Sequence, residues 1–302
     1  MRRVACLEVS ESLSMVSTIC CVHTILRNNR RPFKMGLPRA YHSLAKGLEI
    51  LSAFSEGDLL GNQQLVELTG LPKATVSRLT STLVALGYLR VDTQSRRLFM
   101  GPHVLGMGAS VQRKIGLQRI ARPLMQAMSE EVGLSVSLAT RDRLGMVFLE
   151  VARPAQSSSL VINTDAGSIL PLASTSIGLA YIVAAPMSER TQILEGLRKR
   201  HAEDWPQMRE RIADAHAQFL QHGFVIAEGS WGRDINGVAI PMALRERHTL
   251  YAMHCAGPAS LMPRGYLEKN LGPRLLAMAA AIRTAMDAAV SPRLVPPSLY
   301  QP

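Results

Sequence analysis

Cysteine is scarce in this 302-residue sequence. Cys6, Cys20 and Cys21 lie near the start and Cys255 far downstream, with no CxxC pair and no His/Cys spacing of a zinc site. Such usage fits a reducing cytoplasm, with no metal and no other cofactor expected. A convincing membrane anchor is missing too. The run Leu13–Leu26 is fairly apolar and follows two arginines, but Ser, Thr and His interrupt it and no small-residue cleavage site follows cleanly. Residues 1–39 are therefore expected to be a disordered extension, and no membrane partner is expected. Also lacking is any acid–base or metal-ligating constellation of a catalytic site. His254 beside Cys255 is the nearest approach to a nucleophile and its base, yet adjacent strand residues point to opposite faces.

What is present is a basic excess placed unevenly. Residues 1–114 carry 15 Lys/Arg against 7 Asp/Glu, a net +8, whereas residues 115–302 carry 19 against 16, a net +3. The charge sits with the segment Asn62–Met100, which orders a short helix, a Gly-Leu-Pro turn, a second helix and a basic hairpin. That order predicts a winged helix-turn-helix. Gly70 suits the end of the first of these helices, which Asn62 is expected to cap, and Pro72 presets the first turn of the second. Val76, Leu79, Leu83 and Leu86 share one face and predict its core side. The opposite face bears Ala74, Ser77, Arg78 and Ser81, a surface suited to a major groove, where arginine grips guanine by a bidentate fork. Lys73 and Thr75, at the positive helix end, are placed for phosphate. In the hairpin, Arg90, Arg96 and Arg97 flank the turn Asp92–Ser95. Upstream, Leu44, Leu48, Leu51 and Phe54 predict a further helix capped by Ser43.

Beyond the hairpin, Val104, Gly108, Val111 and Ile115 recur at near-heptad spacing and predict a linker helix able to pair with a symmetry mate. The remainder alternates helix and strand patterns. A helix is expected over 118–131. Strands are expected at Ser135–Ala139, Met146–Val151, Ser158–Ile162, Gly223–Ala227, Gly237–Met242 and Thr249–Cys255. Further helices are expected near 175–185, 188–199, 206–222 and Pro273–Ala289. Six strands in two sets with segregated helices predict an α+β domain on an antiparallel sheet.

Taken in order, SLAKGLEIL (43–51), LTGLPKATVSRLTSTLVALGYL (68–89), GSILPLASTSIGLA (167–180) and GFVIAEGSWGRDINGVAIPM (223–242), followed by CAGPASL (255–261), make the chain resemble the IclR family of transcriptional regulators over about residues 43–290. The resemblance implies a winged helix-turn-helix DNA-binding domain (40–102), a linker helix (103–117), a GAF-like effector-binding domain (118–290) and a tail (291–302). It further implies a homodimer or homotetramer that answers to a small organic effector on double-stranded DNA with a palindromic operator. By the same resemblance, Ser176 and Ile177 stand where helix-terminal amides receive a carboxylate and Ile235 is an apolar wall. Trp231 either helps cover the pocket or anchors its loop to the surface. At Ala227, Gly237, His254 and Ala256 the chain departs from a carboxylate-binding pattern of Asp, Cys and two Ser, which favours a bulkier, more apolar effector such as an aromatic or medium-chain acid. Two rival readings remain: an enzyme carrying a regulatory DNA-binding domain, and an architectural DNA-binding protein without a ligand.

Overall fold

The computed structural model describes residues 42–54, 59–115, 117–155, 164–229, 234–244 and 249–290. They divide into two compact units, separating after Ile115.

In the first unit, helices α1 (His42–Ala53), α2 (Asn62–Thr69) and α3 (Lys73–Ala85) precede an antiparallel hairpin of β1 (Leu89–Val91) and β2 (Leu98–Met100), and α4 (Pro102–Ile115) follows. Its core gathers Ile50, Phe54, Leu65, Val76, Leu83, Leu89 and Leu98. Gly70 makes the turn between α2 and α3 in the left-handed region, at φ 68°. Just before α2, Leu60 exchanges two 2.9 Å backbone hydrogen bonds with Leu98, tying that connection to the hairpin. Gly101 ends the hairpin where only glycine fits, since a Cβ there would lie 2.1 Å from the Gly87 carbonyl oxygen.

Three local expectations are corrected. Leu44 and Leu48 are exposed and Ser43 lies within α1, whose inner face is instead carried by Ile50 with Phe54 just beyond its end. Leu86 is exposed, and the buried positions of α3 are Val76, Leu83 and, unexpectedly, Thr80. Thr80 tolerates burial because its hydroxyl donates to the Val76 carbonyl at 2.9 Å. The cap of α2 is Gly61, whose N–H donates to Gln64 Oε1 at 2.9 Å, while Asn62 is the first helical residue.

The second unit opens with α5 (Leu117–Val132) and is built on a six-stranded sheet of order β5-β4-β3-β8-β7-β6, every neighbouring pair antiparallel. The strands are β3 (Ser135–Asp142), β4 (Gly145–Ala152), β5 (Ile169–Pro171), β6 (Val225–Glu228), β7 (Ile235–Leu244) and β8 (Thr249–Pro258). Two three-stranded meanders thus join along β3 and β8. The expected strand Ser158–Ile162 falls outside the described residues, and the third strand of the first meander is Ile169–Pro171. Between the meanders run α6 (Ser176–Ala184), α7 (Met187–Arg200) and α8 (Trp205–His222), and α9 (Gly272–Val290) closes the unit.

The two faces of the sheet differ in what they bury. On one, Val136 and Leu138 of β3, Val238 and Ile240 of β7, and Met253 and Cys255 of β8 are all buried, and this side is covered by α9 and α5. On the other, Ala139, Ala239 and Ala252 are buried beneath α6. These side chains are small, so α6 approaches closely. Gly178 completes the approach, since a Cβ there would lie 2.0 Å from the Leu172 carbonyl oxygen. Eight of the nine residues of α6 are buried, as its apolar composition on all sides requires. No helix among the described residues is long and apolar enough to cross a membrane.

Candidate functional site

In the first unit, α3 presents Lys73, Ala74, Ser77, Arg78 and Ser81 to solvent, with Thr75 half-buried at the first turn. The residues between them turn inward: Val76, Thr80 and Leu83 anchor the helix, so the exposed set forms one continuous face. Ser81 donates its hydroxyl to the Ser77 carbonyl at 2.9 Å, and Thr82 to that of Arg78 at 3.0 Å. The oxygen of Ser81 is thereby offered outward as an acceptor, while Arg78 projects as a pure donor.

At the hairpin tip, Asp92 shapes the loop. Its Oδ1 accepts from Ser95 N at 2.6 Å and from Ser95 Oγ at 2.7 Å, and these bonds hold the carboxyl below its ordinary range. The chain then turns through Arg96 at φ 57°, where the Arg96 N–H donates to the Asp92 carbonyl at 3.0 Å. Arg96 and Arg97 are therefore displayed side by side and exposed, on a scaffold fixed by its own hydrogen bonds.

In the second unit, a cavity of about 460 Å³, open mouth included, lies on the α6 face of the sheet. Of the residues expected from sequence, Ser176, Ala227, Ile235, Gly237, His254 and Ala256 line it. Ile177 does not: its side chain is fully buried in the core, leaving only its main chain to serve the helix start. Trp231 lies outside the described residues.

Register explains why these positions converge. Ala227 pairs with Gly237, Gly237 with Ala256, and Ala239 with His254, so successive strands deliver them to one face. The same register brings Ser137 opposite His254 and Ser135 opposite Ala256. Both serines line the cavity, as do Phe148 and Leu170, none of which was singled out from sequence, and Thr175 at the helix start joins them. The cavity therefore holds more hydroxyls than its departures at Ala227, Gly237 and Ala256 suggested. Alternation of β3 carried the signal for the serines, but only the long-range pairing with β8 gives it meaning.

One end of the cavity is the start of α6. Thr175 caps the helix, accepting from Gly178 N at 3.2 Å and donating to the Pro171 carbonyl at 2.8 Å. The amides of Ser176 and Ile177 precede the first intrahelical acceptor, so this end carries partial positive charge. Gly237 leaves room there: a Cβ on it would lie 2.7 Å from Ser176 Oγ. His254, 6% exposed, tilts against the Phe148 ring with centroids 5.4 Å apart. Its Nδ1 has no hydrogen-bond partner, and burial pushes its pKa down to about 4, so the ring is neutral at physiological pH. Cys255 points to the opposite face of the sheet, buried, its thiol pushed up to about 12.

A winged helix-turn-helix with exposed cationic residues on its second helix and hairpin, in one chain with an antiparallel sheet domain bearing a cavity, is the architecture of a transcriptional regulator. The chain belongs to the IclR family: residues 43–93 match the IclR helix-turn-helix domain and residues 109–284 the bacterial transcriptional regulator IclR C-terminal domain. It is 56% identical over 259 residues to the HTH-type transcriptional regulator TsaQ1/TsaQ2 of Comamonas testosteroni, covering 86% of this chain and 93% of that protein. It is 26% identical to the Pca regulon regulatory protein of Pseudomonas putida, over 80% of this chain and 83% of that one. The crystal structure of an IclR family transcriptional regulator from Brucella abortus superposes with a TM-score of 0.73 at 38% identity, covering 86% of this chain and 98% of the other. The protein is accordingly a DNA-binding transcriptional regulator and not an enzyme.

Proposed function

We propose that this regulator's promoter binding is modulated by a small organic acid seated in the sheet cavity, of aromatic or medium-chain size. The observation that carries the reading is the cavity itself: apolar walls from Phe148, Leu170 and Ile235 converge on the amide-bearing start of α6. A carboxylate is favoured at such a helix end, and the walls suit a hydrocarbon body. In the reading unit, Arg78 contacts base edges with Ser77 and Thr75 assisting, while Lys73, Arg96 and Arg97 hold phosphates. The protein works in the cytoplasm as a homodimer or homotetramer whose paired reading heads meet a palindromic operator. The acid acts by binding one conformation of the effector domain more tightly, and it shifts the heads only by that difference in affinity.

The test is calorimetry of the full-length protein against benzoate, octanoate and glyoxylate, paired with operator-binding assays in each. Saturable binding of benzoate or octanoate that changes operator affinity is the expected result. Preferential binding of glyoxylate would overturn the size assignment, and binding of none of the three would overturn the cavity's role.

A further inference from the structure

The hairpin holds one arginine in a conformation that favours glycine. Arg96 sits at φ 57°, in the left-handed region, where an L side chain crowds its own backbone and glycine does not. The loop is built to keep it there. The Asp92 N–H donates to the Arg97 carbonyl at 2.8 Å and the Arg96 N–H to the Asp92 carbonyl at 3.0 Å, while Asp92 Oδ1 accepts from both the N–H and the hydroxyl of Ser95. The base of the hairpin is fixed as well. Leu89 and Leu98 are buried in the core of the unit, and the Leu60 main chain is bonded to that of Leu98. Strain of this kind persists where the surrounding structure enforces it and the side chain itself is needed.

Two features of the loop run against a plain phosphate grip. A phosphate contact asks only for a cation within reach, which an arginine or lysine on relaxed backbone supplies. Asp92, moreover, sets an ionised carboxylate beside any phosphate that Arg96 or Arg97 approaches. Both features suit a loop that must deliver one exposed guanidinium to one place. The minor groove of B-DNA is about 6 Å wide, so a side chain entering it has little lateral freedom. In A·T runs the groove narrows further and its negative potential deepens. Arginine suits that site better than lysine, because a guanidinium is the more weakly hydrated cation and sheds its water more readily.

We propose that Arg96 is a specificity-determining residue that enters the minor groove beside the bases read by α3 and selects operators with A·T pairs there. This role rests on the proposed docking of α3 in the major groove. It turns the phosphate contact of Arg96 into a reading of groove width, since between two close strands one guanidinium meets phosphates on both sides. The selected pairs lie half a helical turn from those under Arg78, roughly 5 bp away.

The experiment lets the full-length protein select sites from a pool of random duplexes, then measures affinity for a selected site whose flanking pairs are all A·T, all G·C or all I·C. Inosine lacks the 2-amino group of guanine, so I·C shows the major-groove edge of G·C and the minor-groove floor of A·T. Wild type should enrich A·T pairs in the flanks and bind the A·T and I·C duplexes at least about fivefold more tightly than the G·C duplex. Arg96→Lys keeps the charge, and Arg96→Gly suits the backbone at φ 57°. Each should retain the core preference of the selected site while bringing the flank ratio to about one. Wild-type affinities that ignore the flanks overturn the proposal, as does an undiminished flank ratio in R96K or R96G, or an I·C duplex bound like the G·C one. Arg78→Ala separates this role from the docking of α3, because it should relax the core preference and leave the flank ratio in place. A core preference intact in R78A overturns that docking and leaves the flank result to stand or fall on Arg96 alone. Failure to enrich any site overturns both.

Discussion

At the level of single residues, the proposed reading face of α3 calls for two kinds of contact that mutation distinguishes. Arg78→Ala removes a forked donor from the exposed centre of α3 and should cost about 1–3 kcal/mol in operator binding while relaxing preference at one base position. Lys73→Ala, at the exposed first residue of the same helix, should weaken binding to all sequences alike and lower the salt-dependence slope by about one unit. Titrations across a set of operator variants and salt concentrations read both. If Arg78→Ala leaves base preference intact, the helix lies differently in the groove. His254 gives a second residue-level expectation, in stability. An unfolded histidine takes up a proton near pH 6.5, whereas burial holds the folded one neutral down to about 4. Within that window the unfolded state binds the extra proton, so stability falls as pH drops from about 6.5 to 4, by on the order of 3 kcal/mol in all. Denaturant unfolding at a series of pH values should show this loss in wild type and a shallower one in His254→Phe.

At the level of elements, two glycines hold joints that no side chain can share. A Cβ at Gly178 would press 2.0 Å from a main-chain oxygen between α6 and the segment after β5, and one at Gly101 would press 2.1 Å from another at the end of the hairpin. Alanine normally improves a helix by up to about 1 kcal/mol over glycine. Overpacking against backbone costs about 1–3 kcal/mol or more and outweighs that gain, so Gly178→Ala should lower the melting temperature of the protein despite its better helix propensity. A rise in melting temperature would show that the α6 joint yields. The elements also mark how far the sequence can be read. The order of α2, α3 and hairpin was legible because Gly70, Pro72 and the Asp92–Ser95 turn act through local backbone chemistry. Helix phase was less legible where two apolar stripes compete: α1 buries Ile50 and leaves Leu44 and Leu48 outside, and α3 buries a back-bonded Thr80 and leaves Leu86 outside. The cavity was half legible. The lining positions on β7, β8 and the start of α6 lie in motifs of the family, but Ser135 and Ser137 join them only through the register of two strands more than a hundred residues apart.

At the scale of the whole molecule, a reader and a sheet domain in one chain lead to an expectation about assembly. Sedimentation should give a dimer or tetramer, and footprinting should protect a defined palindromic site with half-sites one or more helical turns apart. Broad protection without a boundary would favour an architectural role. The sheet under α6 has a further consequence. Ala227, Gly237 and Ala256 line the cavity, with Ala139, Ala239 and Ala252 buried beside them, and none of these side chains has a rotamer to lose. This floor is a fixed mould. A guest that fits it freezes no motion there and meets a surface already in its bound shape. A guest that presses on these six positions finds no side chain there able to swing aside. A change of guest at the floor therefore calls for replacement of these residues, and adaptation without replacement falls to the side chains around them, Phe148, Leu170 and Ile235 among them.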